Sequence, residues 1–187
     1  MTTVAGKRAT LDDLYREEGK AELIDGRIVR FMASGLRPGR LAFKIARNLD
    51  DYVEAEGRGI VNADGVGFAV AELSSGRESF SPDASFYDGP LPKNPMRFIS
   101  GAPTFAVEVR SENDYGETAE RDMAAKRNDY FEAGTQVVWD VDPIGECVNA
   151  YQSGDPEHPR VFRRGEVADA EPAVLGWRMD VDRIFSN

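Results

Sequence analysis

The sequence predicts an α/β fold: a mixed sheet with flanking helices and an N-terminal β-hairpin. Three observations predict it. One long segment and one shorter segment carry apolar residues at helical spacing. Between and after them, apolar residues alternate in short runs bounded by Gly, Pro, Asn and Asp. The resulting order of helix, strands, helix, strand and further strands is that of an α+β or mixed α/β sandwich. The chain has 187 residues, 41% hydrophobic and 30% charged, which suits one globular domain spanning 1–187.

The elements follow in order. Thr10 is placed to cap a short helix opening on Leu11-Asp12-Asp13, with Gly19 beyond its end. Ala21 to Ile24 and Arg27 to Phe31 flank Asp25-Gly26, a dipeptide that favours a tight hairpin turn. Gly35 to Gly39 reads as a loop, and a long helix is expected from Arg40 to Glu56, with Leu41, Ile45, Leu49, Tyr52 and Val53 on one face. From Gly59 the period becomes two. Val66, Phe68 and Val70 alternate, Ser74 to Arg77 turns the chain, and Phe80, Ala84 and Phe86 alternate on the return. Asp88 to Pro103 is rich in Pro and Gly and reads as a long surface loop. A strand is expected at Phe105 to Val109, a helix at Thr118 to Glu132 closed by Gly134, and a strand at Gln136 to Val141 ended by Asp142-Pro143. Cys147 to Tyr151, Arg160 to Arg164 and Trp177 to Val181 complete the strands, with a closing turn at Asp182 to Phe185.

Composition narrows the class. The single cysteine, Cys147, cannot form an internal bridge and has no metal-ligand spacing. No apolar run approaches the ~20 residues that cross a bilayer, and Met1 to Thr10 lacks the apolar core of a secretory signal. A cytoplasmic protein without membrane attachment or organic cofactor is expected. The formal net charge of −10 argues against coating nucleic acid through phosphate contacts alone. A nucleic-acid ligand would need a local basic patch or bound cations. Arg40, Lys44 and Arg47 lie on one stripe of the long helix and suit a solvated helix face paired with nearby acids better than they suit such a patch.

Two acids stand out within apolar strands. Asp83 follows Pro82 beside Ala84 and Phe86, and Glu108 interrupts Phe105-Ala106-Val107-Glu108-Val109, where it shares a face with Ala106 and Arg110. Either acid alone also suits the solvated face of an edge strand. Together on adjacent strands they would bind a hard cation, because Mg²⁺ takes carboxylate oxygen and keeps several waters. Lys126 lies on the same side of its helix as Ala119, Met123 and Tyr130, so it points toward the sheet. A lysine there snorkels to water, or orients a hydroxide and neutralises charge developing on a phosphate.

Six segments in order resemble the Uma2 family of endonucleases, which carries the PD-(D/E)XK nuclease core. They are Glu22-Leu23-Ile24-Asp25-Gly26, Ser81-Pro82-Asp83, Val107-Glu108-Val109, the helix from Lys126 through Tyr130 to Gly134, Val138-Trp139-Asp140-Val141-Asp142-Pro143, and Gly176-Trp177 to Ile184-Phe185. The set spans nearly the whole chain. The resemblance implies a restriction-endonuclease-like fold and a Mg²⁺- or Mn²⁺-dependent nuclease acting on DNA. It makes Asp83 and Glu108 the metal-binding acids and Lys126 the helix-borne catalytic lysine. Glu22 becomes an N-terminal acid that is either a further ligand or a polar residue opening the hairpin. Arg110 stands where the wider superfamily places lysine; it could hold a phosphate but cannot give up a proton.

The sequence departs from the family where a histidine is usual, reading Arg37-Pro38-Gly39-Arg40-Leu41, and after the glutamate, reading Arg110-Ser111-Glu112-Asn113-Asp114. The only histidine, His158, is expected in a Pro-flanked exposed loop. A homodimer is expected. The competing readings are a non-catalytic dimeric scaffold that kept the nuclease fold, and a nuclease for RNA or branched DNA.

Overall fold

A computed structural model describes residues 8–186. The sequence-based reading of residues 1–7 as carrying no signal lies outside the described residues. Helix α1 (Leu11–Leu14) is capped as expected: the Thr10 hydroxyl accepts from the Asp13 N–H, and the Asp13 carboxylate accepts from the Thr10 N–H. Strands β1 (Ala21–Ile24) and β2 (Arg27–Arg30) form the hairpin. Asp25 and Gly26 both adopt positive φ, 49° and 64°, as the tight turn requires.

Helix α2 (Leu36–Glu56) begins four residues before the sequence-based boundary. The supposed loop is its first turn. Pro38 lies where a helix has no intrahelical use for an N–H, and Gly39 N–H already closes on Gly35 O at 3.1 Å. Strand β3 (Ile60–Ala63) follows, then β4 (Phe68–Ala69) and β5 (Ser79–Phe80). The expected return from Phe80 to Phe86 is two strands, because Ser81-Pro82-Asp83 leads the chain out of one sheet into another. Strand β6 (Ala84–Tyr87) joins the main sheet. The long loop also holds β7 (Ile99–Ser100), which pairs in parallel with β4.

Strand β8 (Phe105–Val109), helix α3 (Glu117–Glu132) and strand β9 (Val137–Asp142) form a parallel strand pair with a helical crossover. Strands β10 (Cys147–Gln152), β11 (Asp155–Arg163), β12 (Val167–Ala170) and β13 (Val174–Asp180) precede a terminal helix, α4 (Val181–Phe185). Of these, β12 was not legible in the sequence, the segment around His158 is strand rather than loop because β11 begins at Asp155 in its pairing with β10, and the closing turn is a short helix.

The main sheet has six strands in the order β11-β10-β9-β8-β6-β3, with β8 and β9 parallel and the other neighbours antiparallel. This is the expected mixed α/β architecture. One face of the sheet packs on α2 and on Trp177, Met179 and Ile184, burying Phe105, Val107, Trp139 and Val141. The other carries Ala106 and Val138, which cluster with Tyr130 of α3 and with Phe68 and Phe80 of the small sheet. Glu108 lies on this second face, because period two sets it with Ala106. No described helix is long and apolar enough to cross a membrane.

Candidate functional site

The β6–β8 pairing brings the two candidate acids near each other. Its paired residues end at Ala84 and Val107, and Asp83, next before Ala84, lies close enough to Glu108, next after Val107, for its charge to raise the Glu108 carboxyl. Two backbone bonds pin Asp83 there: its N–H donates to Val107 O at 3.0 Å, and its Oδ2 accepts the Val109 N–H at 2.8 Å.

Each acid carries a lysine. Lys126 Nζ lies 2.9 Å from Glu108 Oε1 and 3.4 Å from Glu22 Oε1. Lys20 Nζ lies 2.8 Å from Asp83 Oδ1 and 2.8 Å from Asp64 Oδ1. The Tyr130 hydroxyl also donates to Glu108 Oε1, at 2.6 Å. Lys126 and Tyr130 are four residues apart on α3, so one helix face delivers both to the same oxygen. Among the described residues Glu108 Oε2 accepts no hydrogen bond, and the side chain is 27% exposed.

The electrostatics separate the acids. Burial pushes the Glu108 carboxyl above its usual range; Asp83 and Glu22 add to the rise, while Lys126 and the Tyr130 hydroxyl oppose it. Burial would likewise raise Glu22, but Lys126, Arg77 and the Ser81 N–H hold it below its ordinary value. Glu22 is fully buried, with Oε1 accepting from Ser81 N–H at 3.0 Å and Oε2 bonded to Arg77. Arg77 in turn bonds Asp129 Oδ2 at 2.8 Å. This buried chain ties the hairpin to α3 and fixes the acid against which Lys126 rests. Burial would lower Lys126, but Glu108 and Glu22 outweigh it and keep its pKa above the usual lysine value.

Four sequence-predicted residues, Asp83, Glu108, Lys126 and Glu22, thus converge. Arg110 shares the face of Glu108 but is engaged elsewhere: its Nε and Nη2 each lie 2.7 Å from the Asp140 carboxylate, and Glu120 completes its shell. Arg40, Lys44 and Arg47 stand on α2, against the opposite face of the sheet. Lys44 is held by the carbonyls of Ile184 and Ser186, whereas Arg40 and Arg47 are exposed. Sequence reasoning missed Lys20, Arg77 and Asp140, and it read Tyr130 only as part of an apolar stripe. Asp140 had a signal, since it interrupts a strand as Glu108 does. Lys20 and Arg77 had none, because their partners are 44 or more residues away.

The donor set fits a hard divalent cation. Among the described residues no group of three or more His, Cys, Asp or Glu forms a ready-made metal cage. Mg²⁺ and Mn²⁺ do not need one, because one or two carboxylates suffice when water and a substrate phosphate complete the shell.

A mixed sheet whose parallel pair is joined by a helical crossover is the architecture of a restriction-endonuclease-like protein. The sequence pattern of Uma2, described as "Putative restriction endonuclease", matches residues 8–182. The chain belongs to the Uma2 family. Its fold is similar to the crystal structure of a "putative nuclease belonging to DUF820" from Anabaena variabilis ATCC 29413, with a TM-score of 0.74 and 18% identity over 95% of this chain and 97% of that one. No curated protein matches the chain significantly.

Proposed function

We propose that the protein is a Mg²⁺- or Mn²⁺-dependent endonuclease that hydrolyses DNA phosphodiester bonds. The observation that supports it best is the closeness of Asp83 and Glu108, with Lys126 Nζ at 2.9 Å from the latter. On this reading Asp83 and Glu108 hold the cation. A divalent ion there supplies charge neutralisation at the scissile phosphate and lowers the pKa of bound water.

The chain's own groups do the rest. Glu108 offers Oε2 outward because Tyr130 and Lys126 occupy Oε1. Lys126 stays protonated between Glu108 and Glu22, from where it would stabilise negative charge developing on phosphate oxygens. Glu22 acts as a positioning acid, since both of its oxygens are engaged and it is fully buried. Arg110 is assigned to structure. Arg40 and Arg47 supply phosphate contacts outside the cleavage point. They lie on the helix whose first turn reaches Glu146 through Arg37, at 2.6 Å. Glu146 follows the C-terminal end of β9, and β8 runs parallel to β9, so Glu108 faces the same end of the sheet. Lys44 is not part of that contact.

The test is cleavage of plasmid and oligonucleotide DNA by purified protein with Mn²⁺ at low salt, where a net charge of −10 still permits local cationic contacts. Asp83→Ala and Glu108→Ala should abolish it. Cleavage that persists in both variants would come from a contaminant, and no cleavage of DNA or RNA with any divalent ion would favour a scaffold.

A further inference from the structure

The two lysines are arranged alike, and only one of them has a role in the reading above. Each is shared between a proposed ligand and an acid outside the pair: Lys126 between Glu108 and Glu22, Lys20 between Asp83 and Asp64. The surroundings differ. Glu22 is fully buried and clamped by Arg77, so Lys126 has a fixed seat. Asp64 lies in the turn after β3 with its side chain 45% exposed, and Lys20 is its only charged partner among the described residues. Lys20 itself precedes β1, on a flexible four-carbon stem whose ammonium can turn between acceptors.

Asp83 explains why that freedom matters. Its Oδ2 accepts the Val109 N–H, a fixed backbone donor, whereas Oδ1 accepts from Lys20, a donor on a mobile stem. A cation cannot use Oδ1 fully while an ammonium stands 2.8 Å away. Without either cation, Asp83 and Glu108 would face each other as adjacent carboxylates, which is unfavourable.

We propose that Lys20 is a built-in counter-cation of the acid pair: it neutralises Asp83 while no metal is bound, and it withdraws onto Asp64 when a divalent ion takes Asp83. Lys20 is thus a positioning residue that sets metal affinity, and Asp64 is its resting acceptor. The inference rests on the metal-binding reading of Asp83 and Glu108.

The test is a double-mutant cycle on the full chain, with the Mn²⁺ dissociation constant measured by calorimetry in the absence of DNA. Lys20→Met should tighten binding about fivefold, the scale of one partly exposed ion pair. Lys20→Arg keeps the charge and should stay near the wild type. Asp64→Asn should weaken binding severalfold, because Lys20 then has only Asp83 to rest on; this variant also tests the point without altering Lys20. In the Lys20→Met background, Asp64→Asn should have no effect. Unchanged or weaker binding in Lys20→Met would overturn the proposal. So would an equal loss from Asp64→Asn in both backgrounds, which would make Asp64 a direct ligand. If Glu108→Ala abolishes Mn²⁺ binding but Lys20→Met leaves it unaltered, only this inference fails. Absence of any Mn²⁺ binding sensitive to Glu108→Ala overturns the metal site and this inference together.

Discussion

Glu108 and Asp140 are direct neighbours across the parallel β8–β9 pair, on the same face of the sheet, yet they are in opposite situations. Asp140 is 3% exposed, with Arg110 in a two-pronged pair and Arg127 at 3.4 Å. Glu108 is partly open, has one oxygen without a hydrogen bond among the described residues, and meets a lysine and a phenol on the other. The row of acids continues to Asp83, the residue that leads into β6, so Asp83, Glu108 and Asp140 follow one another across the sheet. Saturation by arginine makes Asp140 a structural ion pair. Partial satisfaction leaves Asp83 and Glu108 able to bind something else.

That contrast predicts separable effects. Asp140→Asn should destabilise the protein by about 3 kcal/mol, because it strands buried Arg110 without its main partner. It should change Mn²⁺ affinity by less than about threefold, since no proposed ligand is removed. Chemical denaturation and calorimetry on the same variant measure both. A large loss of affinity with little loss of stability would reverse the assignments of Asp140 and Glu108.

Metal linkage should report on the pair directly. Mn²⁺ at a hundred times its dissociation constant should stabilise the wild type by about 2.7 kcal/mol by mass action. Asp83→Asn and Glu108→Gln should remove most of that gain. Thermal melting with and without the ion checks it; an equal upward shift in all three proteins would place the ion elsewhere.

The two donors to Glu108 should differ in kind. Tyr130→Phe keeps the ring stacked on Phe80, at 4.1 Å between centroids, and removes only the hydroxyl. It should slow cleavage about tenfold, the scale of one hydrogen bond to a charged group. On the proposed reading, Lys126→Met removes the cation assigned to the reacting phosphate and should cost about 10²-fold or more in kcat, with a smaller effect on Mn²⁺ affinity. Single-turnover cleavage rates decide the order; a Tyr130→Phe defect larger than that of Lys126→Met would contradict it.

Glu22 gives a pH dependence. Its folded pKa lies below the ordinary value of 4.5, so the native state holds this proton less tightly than the unfolded chain. The resulting stability is complete above about 4.5 and fades as pH falls through the lower folded value. Glu22→Gln should therefore cost about 3 kcal/mol near neutral pH by leaving Arg77 and Lys126 short of an acid. The gap to the wild type should narrow below pH ~4. A gap that stays constant from neutral to acid pH would show that Glu22 contributes through packing alone.

Arg40→Ala should weaken DNA binding severalfold and reduce the dependence of log affinity on log salt by about one phosphate contact. Mn²⁺ affinity should stay as in the wild type. Salt titrations of DNA binding measure this, and an unaltered slope would remove Arg40 from the interface.

The sequence by itself determined what is local in this protein. The Thr10 cap, the Asp25-Gly26 turn, the strand at Phe105 and the helix ending before Gly134 all rest on backbone conformation and hydrophobic period within a few residues. So does the orientation of Glu108 away from the apolar face and of Lys126 toward the sheet. The ordered motifs added the family, and with it the pairing of Asp83 with Glu108. Tertiary structure alone decided the partners. Ser81-Pro82-Asp83 leads from one sheet to another, which no period announces, and that switch brings Asp83 near Glu108. Arg110 carries the same charge whether it faces a phosphate or Asp140; only the β8–β9 pairing chose Asp140. Lys20 and Arg77 reach acids 44 to 63 residues away, contacts that become legible only when the hairpin docks on α3 and β6. An ionic contact depends on distance and desolvation, and for residues far apart in sequence both are set by the packing of the whole chain.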